Sequence, residues 1–330
     1  MEKYRAVCIK NPGDLNTMNV DLLDFPELKQ GELLVQMEYS TINPSDVSTA
    51  HGRYPTGQQP PYVIGLEGSG TVVKSGGGQE ADSLVSKRVA VRGRGTWGEY
   101  TVASFDSVFP LLDSTTFEQA ANLIVNPITV ALFMDKIKTN SHKAAVQNAA
   151  ASALGKMFIK WCKASGIPLV NLVRRQEQVD LLKAIGAEHV FNTSENDWKN
   201  KAKQVCDELG VSAGFDAIAG SSTSDIAELL ANGGAVYNYG RLSKQDAQMT
   251  AAALIFQRKS LEGLWLTRWI SGKTCQERYE VGYLVQGLIS DVLKTEHSRI
   301  ISLEEVKDVV ANYEESSSTN NKILIKIRNN

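Results

Sequence analysis

The sequence predicts an α/β protein that joins a β-rich module to a parallel sheet doubly wound with helices. Residues 1 to about 122 hold short alternating or β-branched runs separated by Gly and Pro, which is typical of strands with little helix between them. From Ile124 onward, helical patterns alternate with short apolar runs, with about 20 to 30 residues per unit, and this favours parallel strands joined by helices. A chain of 330 residues is long enough for two domains with separate cores.

The β-rich module is predicted to take strands from both ends of the chain. Its N-terminal runs are YRAVCIK, ELLVQMEYS, SGTVVKS, KRVAVRG and GEYTVAS. The C-terminal segment KILIKIR also has the pattern of a strand, and we expect this strand to pair with those of the β-rich module. The predicted β-rich domain is therefore discontinuous, with residues 1–123 and 269–330, and it encloses a second domain at 124–268.

The enclosed domain contains the short apolar runs expected of a parallel sheet. The predicted strands are Ala145–Gln147, Leu169–Val173, His189–Asn192, Gly214–Ile218, Ala235–Tyr239 and Ser260–Leu264. After Thr267, an amphipathic pattern predicts one helix that continues to about Leu293.

The segment from Ala144 to Arg175 indicates a nucleotide site. It is expected to form a strand, a turn of small residues at 149–153, a helix and a second strand, with Gly155 where helix and strand pack closely. The unpaired N–H groups at the helix start favour a phosphate. Arg174 and Arg175 follow the second strand, where guanidinium groups match the 2′-phosphate of NADP. The turn has one glycine where a dinucleotide fingerprint has three, so a unit without ligand is the alternative.

Composition and charge exclude several classes of function. A formal net charge of −2 provides no basic field for nucleic acid or an anionic membrane, and no apolar run approaches the roughly 20 residues of a membrane span. The N-terminal residues lack a signal or transit pattern, so the cytosol is expected, with a mitochondrial location without an evident presequence as the alternative. The scattered cysteines form no C-x-x-C pair, which indicates a reducing compartment and no structural zinc.

Six motifs occur in an order and spacing that resemble the medium-chain dehydrogenase/reductase superfamily over nearly the whole chain. They are NPSD (43–46), GRYP (52–55), PYVIGLEGSGTVV (61–73), GTWGEY (95–100), VNPITV (125–130) and LIFQRKSLEGLWLTRW (254–269). The resemblance implies a GroES-like catalytic domain at 1–123 and 269–330 and a Rossmann NADP-binding domain at 124–268.

The resemblance is to a branch of this superfamily without zinc. The zinc-dependent alcohol dehydrogenases have a His-Glu pair where this chain has Leu66 before Glu67, and a cysteine ligand where it has Asn43 and Pro44. Zinc in this position needs N and S donors, which these residues do not supply, so no metal is expected. The chain looks most similar to the NADPH:quinone reductases and the 2-enoyl thioester reductases, and NPSDVSTAHGRY and QNAAASALG followed by LVRR resemble the latter.

The implied activity is the NADPH-dependent reduction of an activated C=C bond, in an enoyl thioester or a quinone-like enone. Without metal, a side-chain acid or water must supply the proton that accompanies the hydride. Tyr54, nine residues after Ser45, matches the tyrosine that supplies it in the thioester reductases, and an aromatic packed beside Pro55 is the alternative. The competing class is an inactive family member that serves as a structural or accessory subunit.

The resemblance also implies a set of cofactor contacts. They are Asn126 and Thr129 in the VNPIT motif, Ala151, Ser152, Ala153 and Leu154 in the pyrophosphate turn, Arg174 and Arg175 at the 2′-phosphate, Tyr239 and Gly240 near the nicotinamide, Leu264, Trp265, Leu266 and Thr267 at the carboxamide, and Lys322 at the phosphates. An N-terminal helix cap is the alternative for Asn126, and a solvated lysine is the alternative for Lys322.

Two further residues are predicted on the substrate side. Asn43 is a candidate substrate contact, and Arg241 is expected either to meet an acidic substrate or to fill the pocket. The expected partner is the small-molecule substrate, without nucleic acid, and the chain is expected to act as a homodimer or as a subunit of a larger complex.

Overall fold

The chain divides into two compact units. The computed structural model describes residues 3–313 and 322–328. Unit 1 comprises Met1–Ile128 and Lys273–Asn330, and unit 2 comprises Thr129–Gly272. The first division follows residue 128, where the sequence predicted 123, and the second follows residue 272, where it predicted 268.

Unit 1 is built from two sheets. Its strands, numbered in chain order, are β1 (Lys3–Ile9), β2 (Met18–Asp24), β3 (Glu32–Ile42), β4 (Tyr62–Val63), β5 (Glu67–Ser75), β6 (Arg88–Arg92), β7 (Tyr100–Ser104), β8 (Val108–Pro110), β15 (His297–Ile301) and β16 (Lys322–Lys326). One sheet has the order β2-β1-β4, and a seven-stranded sheet has the order β15-β16-β3-β5-β6-β8 with β7 paired to β3. Because β16 pairs antiparallel with β3, both ends of the chain contribute to the larger sheet.

Short helices connect the strands of unit 1. They are α1 (Pro44–Ala50), α2 (Gln79–Asp82), α3 (Phe117–Ala120), α11 (Cys275–Leu288) and α12 (Val306–Ala311), and a π-helical turn spans Ile124–Ile128. The buried core includes Trp97, whose indole Nε1 donates to the Thr41 carbonyl over 2.9 Å. No helix within the described residues combines the length and apolar character that a membrane crossing requires.

Unit 2 is a parallel sheet wound with helices. Its strands are β9 (Ala145–Gln147), β10 (Leu169–Val173), β11 (His189–Asn192), β12 (Ala213–Asp216), β13 (Ala235–Asn238) and β14 (Ser260–Gly263). Their order is β11-β10-β9-β12-β13-β14, with all neighbours parallel. The helices are α4 (Thr129–Thr139), α5 (Ala153–Ala164), α6 (Gln176–Ala184), α7 (Trp198–Leu209), α8 (Ser221–Leu229), α9 (Ala251–Ile255) and α10 (Leu266–Ser271). The predicted fold class is confirmed.

The single helix predicted after Thr267 is wrong. The structure has two helices there, because α10 ends at Ser271 and α11 begins at Cys275. Thr274 and Glu277 form a capping box at the start of α11: the Thr274 N–H donates to Glu277 Oε2 over 2.7 Å, and the Glu277 N–H donates to Thr274 Oγ1 over 3.3 Å. This local start signal interrupts an otherwise continuous amphipathic pattern.

A buried cluster of polar side chains lies at the ends of three adjacent strands of unit 1. Asn43 follows β3, Glu67 begins β5 and Lys322 begins β16, and all three side chains are buried. Asn43 Nδ2 donates to Glu67 Oε1 over 2.9 Å, and Lys322 Nζ donates to Asn43 Oδ1. Asp46, in α1, accepts a 2.8 Å bond from the Asn43 backbone N–H through Oδ2. We call Asn43, Asp46, Glu67 and Lys322 the lysine cluster.

The lysine cluster also joins distant parts of the chain. Glu67 Oε2 accepts from the backbone N–H groups of Ile124 and Val125, over 3.0 and 2.8 Å. Burial raises the pKa of Glu67 and lowers the pKa of Lys322, and each charge offsets part of the shift of the other. The three strand ends, the start of α1 and the π-helical turn therefore meet at one buried polar cluster, in which Asn43 bridges the Glu67 carboxylate and the Lys322 ammonium.

Asp46 should make the stability of the protein depend on pH. Burial raises the pKa of Asp46 to about 7, and its Oδ1 has no hydrogen-bond partner among the described residues. Its pKa in the unfolded chain is about 3.9, so between about pH 4 and pH 7 the folded state binds the extra proton. The Asp46 contribution to stability is therefore greatest at the acid end of this window and is lost as the pH rises through the folded pKa.

The neutral, nearly isosteric Asp46→Asn should remove this dependence. Between pH 5 and pH 8 the free energy of unfolding of the wild type should fall by about 2–3 kcal/mol relative to that of Asp46→Asn, because only the wild type has the titrating carboxyl. Chemical denaturation at both pH values measures the change, and Asp113→Asn, at an exposed position, is the control. Parallel pH profiles for Asp46→Asn and the wild type would contradict the prediction.

Candidate functional site

The turn between β9 and α5 has the features of a phosphate-binding turn. Ser152 caps α5, and its Oγ accepts a 3.0 Å hydrogen bond from the Gly155 N–H. A Cβ at Gly155 would lie 2.4 Å from the Ala150 carbonyl oxygen, so the close approach predicted there is present. Ser152, Ala153 and Leu154 are half-buried, and the N–H groups of this first helical turn have no intrahelical acceptor. Ala151, just before them, is buried.

The turn is also strained. Ala149 has φ of +47°, in the left-handed region that costs an L-residue about 1–2 kcal/mol. Ala219, which follows the adjacent strand β12, has φ of +63°. Strained positions of this kind persist where the surrounding structure fixes them, and they are frequent at functional sites.

A buried network that the sequence did not indicate holds these two strand ends together. Asn148 Nδ2 donates to Asp216 Oδ1 over 2.5 Å, and Asn148 Oδ1 accepts from the Ala217 N–H over 2.7 Å. Asp216 Oδ2 accepts from Thr223 Oγ1 over 2.6 Å. The available signal was that Asn148 and Asp216 each stand at or just after the end of a short apolar strand. The network fixes the edge of the sheet at which the candidate cofactor residues lie.

Arg174 and Arg175 follow β10 at the same edge. Both side chains are exposed, and neither guanidinium has a carboxylate within salt-bridge distance in the described part of the chain. Their backbone is fixed, since the Arg174 N–H donates to Gln178 Oε1 over 3.1 Å and its carbonyl accepts from Ser194 Oγ over 2.8 Å. Two unpaired guanidinium groups are thus presented on rigid backbone, as a phosphate site requires.

Tyr239 and Gly240 follow β13. The Tyr239 ring packs against Phe133 with centroids 4.7 Å apart, and burial, with a smaller effect of Asp216, raises the pKa of its phenol. A Cβ at Gly240 would lie 2.6 Å from the Ala217 carbonyl oxygen, so only glycine fits there. Arg241 points outward: its side chain is 64% exposed, and its Nη2 lies 2.9 Å from the Lys244 carbonyl and 3.5 Å from Asp246. This exposure argues against the alternative in which it fills a pocket, and contact with an acidic substrate stays a prediction.

The remaining candidates of unit 2 lie at its last strand and first helix. Leu264 follows β14 and donates its N–H to the Asn238 carbonyl over 2.7 Å. Trp265 is half exposed at the start of α10, and Leu266 and Thr267 lie in that helix. Thr129 begins α4. Asn126 lies inside the π-helical turn of unit 1 and is not the cap of α4, so the alternative role weighed for it does not apply.

Tyr54 lies in unit 1, in the loop that follows α1. Its side chain is half-buried, and its hydroxyl has no hydrogen-bond partner within residues 3–313 and 322–328. The loop is anchored before it, where the Arg53 N–H donates to the Ser48 carbonyl over 2.8 Å, and after it, where the Gln58 N–H donates to Thr56 Oγ1 over 3.1 Å. The structure therefore presents the Tyr54 phenol on a fixed loop with its O–H available.

Asn43 and Lys322 have structural contacts that conflict with their predicted roles. Both ends of the Asn43 amide are bonded within the lysine cluster and the side chain is buried, which argues against a substrate contact. Lys322 is buried against Asn43, and its contacts argue both against a phosphate role and against a solvated surface lysine. Among the described residues, no three His, Cys, Asp or Glu side chains are grouped so that they could hold a metal ion.

Two family models match the chain. The model for the alcohol dehydrogenase GroES-like domain matches residues 29–113, and the model for the zinc-binding dehydrogenases matches residues 153–280. The first falls in unit 1, and the second covers most of unit 2 and the start of α11.

Curated relatives match most of the chain. The mitochondrial enoyl-[acyl-carrier-protein] reductase of Arabidopsis thaliana is 32% identical over 290 residues, which cover 84% of this chain and 76% of the relative. One from Caenorhabditis elegans is 33% identical over 280 residues, with coverage of 82% and 79%. The human enzyme is 29% identical over 280 residues, with coverage of 81% and 74%.

Solved structures share the fold over the full chain. A Mesorhizobium loti protein assigned to the NADPH:quinone reductases superimposes with a TM-score of 0.87 at 30% identity, covering 99% of both chains. An enoyl thioester reductase from Candida tropicalis, in mutant form, has a TM-score of 0.79 at 22% identity, covering 99% of this chain and 100% of that one. With its two domain matches and its relatives at 32% and 33% identity, this chain belongs to the medium-chain dehydrogenase/reductase superfamily of oxidoreductases.

Proposed function

We propose that this protein is an NADPH-dependent, zinc-free reductase of an activated carbon–carbon double bond in a 2-enoyl thioester, with Tyr54 as the proton donor. The observation that carries the proposal is the Tyr54 hydroxyl, held on an anchored loop without a hydrogen-bond partner among the described residues. The relatives at 32% and 33% identity are enoyl reductases, which supports the choice of substrate class.

The residues of unit 2 fit an NADP molecule. The Ser152-capped start of α5 offers N–H groups and a helix dipole to the pyrophosphate, while the small side chains of 149–153 leave room for its approach. Arg174 and Arg175 would hold the 2′-phosphate. Tyr239, Gly240 and residues 264–267 would lie toward the nicotinamide, and Asn126 and Thr129 are further proposed contacts. When bound, NADPH supplies the hydride.

Tyr54 would complete the reduction on the substrate side. The phenol O–H of Tyr54 can donate a hydrogen bond to the thioester oxygen or a proton to the carbon next to the carbonyl. Stabilising the developing enolate in this way lowers the barrier only if the donor is already positioned, and the anchors at Arg53 and Gln58 provide that.

A quinone or enone substrate is the second candidate. The Mesorhizobium loti neighbour at 30% identity is assigned to the quinone reductases, and a quinone can take its protons from water after the hydride arrives. An inactive accessory subunit is the competing class. A homodimer stays a prediction, and so does the compartment, for which the curated relatives favour the mitochondrial alternative over the cytosol.

The cofactor preference should be for NADP over NAD, because only NADP brings a dianion to Arg174 and Arg175. Removing one charge-assisted contact of about 1.5–3 kcal/mol should weaken NADP binding by roughly 10- to 150-fold. Fluorescence titration of both cofactors against the wild type and Arg174→Ala measures this. Lys183→Ala, an exposed cation of α6, is the control. Equal affinities of the wild type for NAD and NADP would refute the assignment.

Tyr54→Phe keeps the ring and its packing and removes the proton donor. We expect the hydride step on crotonyl-CoA to slow by about 100- to 10,000-fold, with NADPH affinity nearly unchanged. Single-turnover oxidation of NADPH followed at its absorbance maximum reports the step directly.

The same variant distinguishes the three candidate functions, which are an enoyl thioester reductase, a quinone reductase and an inactive accessory subunit. Tyr39→Phe, a half-buried tyrosine bonded to Glu118, should leave the rate unchanged. A quinone reductase would retain its rate in Tyr54→Phe, and an accessory subunit would show no turnover in any form. Reduction of the enoyl thioester by Tyr54→Phe at the wild-type rate would end the acid-catalysis proposal.

A further inference from the structure

Three arginine side chains gather beside the end of β6 in unit 1. Arg92 is the last residue of β6, Arg94 follows two positions later, and Arg278 lies in the first turns of α11. β6 pairs antiparallel with β8, and α11 packs on β8 so closely that a Cβ at Gly282 would lie 2.8 Å from Phe109 Cδ1. Arg278 is one turn before Gly282, and this brings its charge to the end of β6. We call Arg92, Arg94 and Arg278 the arginine cluster.

The charges within the arginine cluster act on each other. Burial is the main cause that lowers the pKa of Arg92, Asp106 raises it, and Arg278 and Arg94 lower it further. Two further guanidinium groups and one carboxylate thus act on Arg92, so positive charge is in excess around it. Like charges brought together in a partly buried site are costly unless an anion joins them.

The hydrogen bonds of the arginine cluster are incomplete. In the described part of the chain, none of the three forms a salt bridge within 4 Å. Arg92 Nη2 makes a long 3.4 Å contact with Ser107 Oγ, and its buried Nε has no acceptor. Arg278 is 8% exposed, and its Nη1 donates to the Lys273 carbonyl over 2.8 Å. Arg278 is thus buried and Arg92 half-buried, and neither has a carboxylate within salt-bridge distance among the described residues.

Arg88, on the same strand, shows how a structural arginine is bonded in this unit. Its guanidinium donates to the carbonyls of Thr115, Leu112 and Asp113 and lies over the Phe117 ring. Both terminal nitrogens and one face of that group have partners supplied by the protein. Arg92 and Arg278 have one such partner each, which leaves most of their N–H groups unmatched and points to a ligand rather than to a structural role.

The arginine cluster lies next to the loop of Tyr54. The Arg94 guanidinium packs at Gly57, where a Cβ would lie 3.3 Å from Nη1. Gly57 is three residues after Tyr54, and three residues of extended chain span at most about 10 Å. A single extended molecule could therefore reach both the Tyr54 phenol and an anion site at Arg94.

We propose that the arginine cluster binds the phosphate groups of the carrier on which the acyl substrate is presented. The chemistry shared by coenzyme A and phosphopantetheine carriers is a phosphate ester at the 4′ end of pantetheine, and guanidinium groups match its oxygens bidentately. An excess of guanidinium groups favours a doubly charged pyrophosphate over a single carboxylate. The proposal rests on the proposed enoyl thioester reductase function, since a quinone carries no such group.

The test compares crotonyl-CoA, crotonyl-4′-phosphopantetheine and crotonyl-pantetheine as substrates of the wild type, Arg94→Gln and Arg278→Gln. We expect KM for crotonyl-CoA to rise by roughly 10- to 150-fold in each variant with little change in kcat. Crotonyl-pantetheine, which lacks phosphate, should be reduced equally by all three proteins. An effect on crotonyl-4′-phosphopantetheine would assign the site to the phosphate that both carriers share, and an effect on crotonyl-CoA alone would assign it to the phosphates of coenzyme A.

Arg94 is exposed, so Arg94→Gln keeps the fold even if Arg278→Gln does not, and Arg299→Gln, an exposed arginine of unit 1, is the control. The proposal is overturned if both variants reduce crotonyl-CoA with wild-type KM, or if they lose the same factor on crotonyl-pantetheine.

A binding measurement separates failure of this site from failure of the proposed function. Inorganic pyrophosphate, titrated calorimetrically into protein saturated with NADP, should bind the wild type and lose roughly 10-fold or more in affinity in Arg94→Gln. If no thioester is reduced but this binding is present, the function fails and the anion site stands. If pyrophosphate binds wild type and variant equally, or binds neither, the site is refuted.

Discussion

Unit 1 depends on two buried groups of opposite charge, Lys322 and Glu67, which the Asn43 amide bridges. A lone charge at either position would cost several kcal/mol, so each requires the other, and both require Asn43 to satisfy their remaining hydrogen bonds. The consequence reaches beyond stability, because Asn43 also begins α1, and α1 leads directly into the loop of Tyr54. The C-terminal strand therefore helps to fix a proposed catalytic side chain more than 260 positions earlier in the chain.

In unit 2 the candidate site residues are positioned by backbone geometry, whereas in unit 1 they are positioned by buried charged groups. The turn after β9 has alanine, not glycine, in a left-handed conformation, and it persists because Ser152 caps α5 and the Asn148–Asp216 network fixes the neighbouring strand ends. The strain of about 1–2 kcal/mol at Ala149 is offset by these contacts. The result is a rigid turn of small residues, which is what the close approach of a pyrophosphate requires.

The sequence was sufficient where the structure depends on local pattern. Short apolar runs located the strands of unit 2 within about two residues, and Gly155 was recognised as a close contact. It was insufficient where pairing between distant segments decides the outcome. Lys322 follows a polar stretch and looks solvated, and it is buried only because β16 pairs with β3. Arg278 stands among polar residues of α11, and only the packing of that helix on β8 removes it from water.

The two sets of unpaired arginines do not have equal weight as evidence for ligands. Arg174 and Arg175 are exposed, so water solvates them at little cost, and their lack of partners is ordinary for surface side chains. Their assignment depends on their place after the second strand of a nucleotide unit. Arg278 is buried and Arg92 is half-buried with an unbonded Nε, and an incompletely matched charge there costs stability in the free protein. Binding of an anion would remove this destabilisation. The arginine cluster is therefore a stronger physical indication of an anionic ligand than Arg174 and Arg175 are.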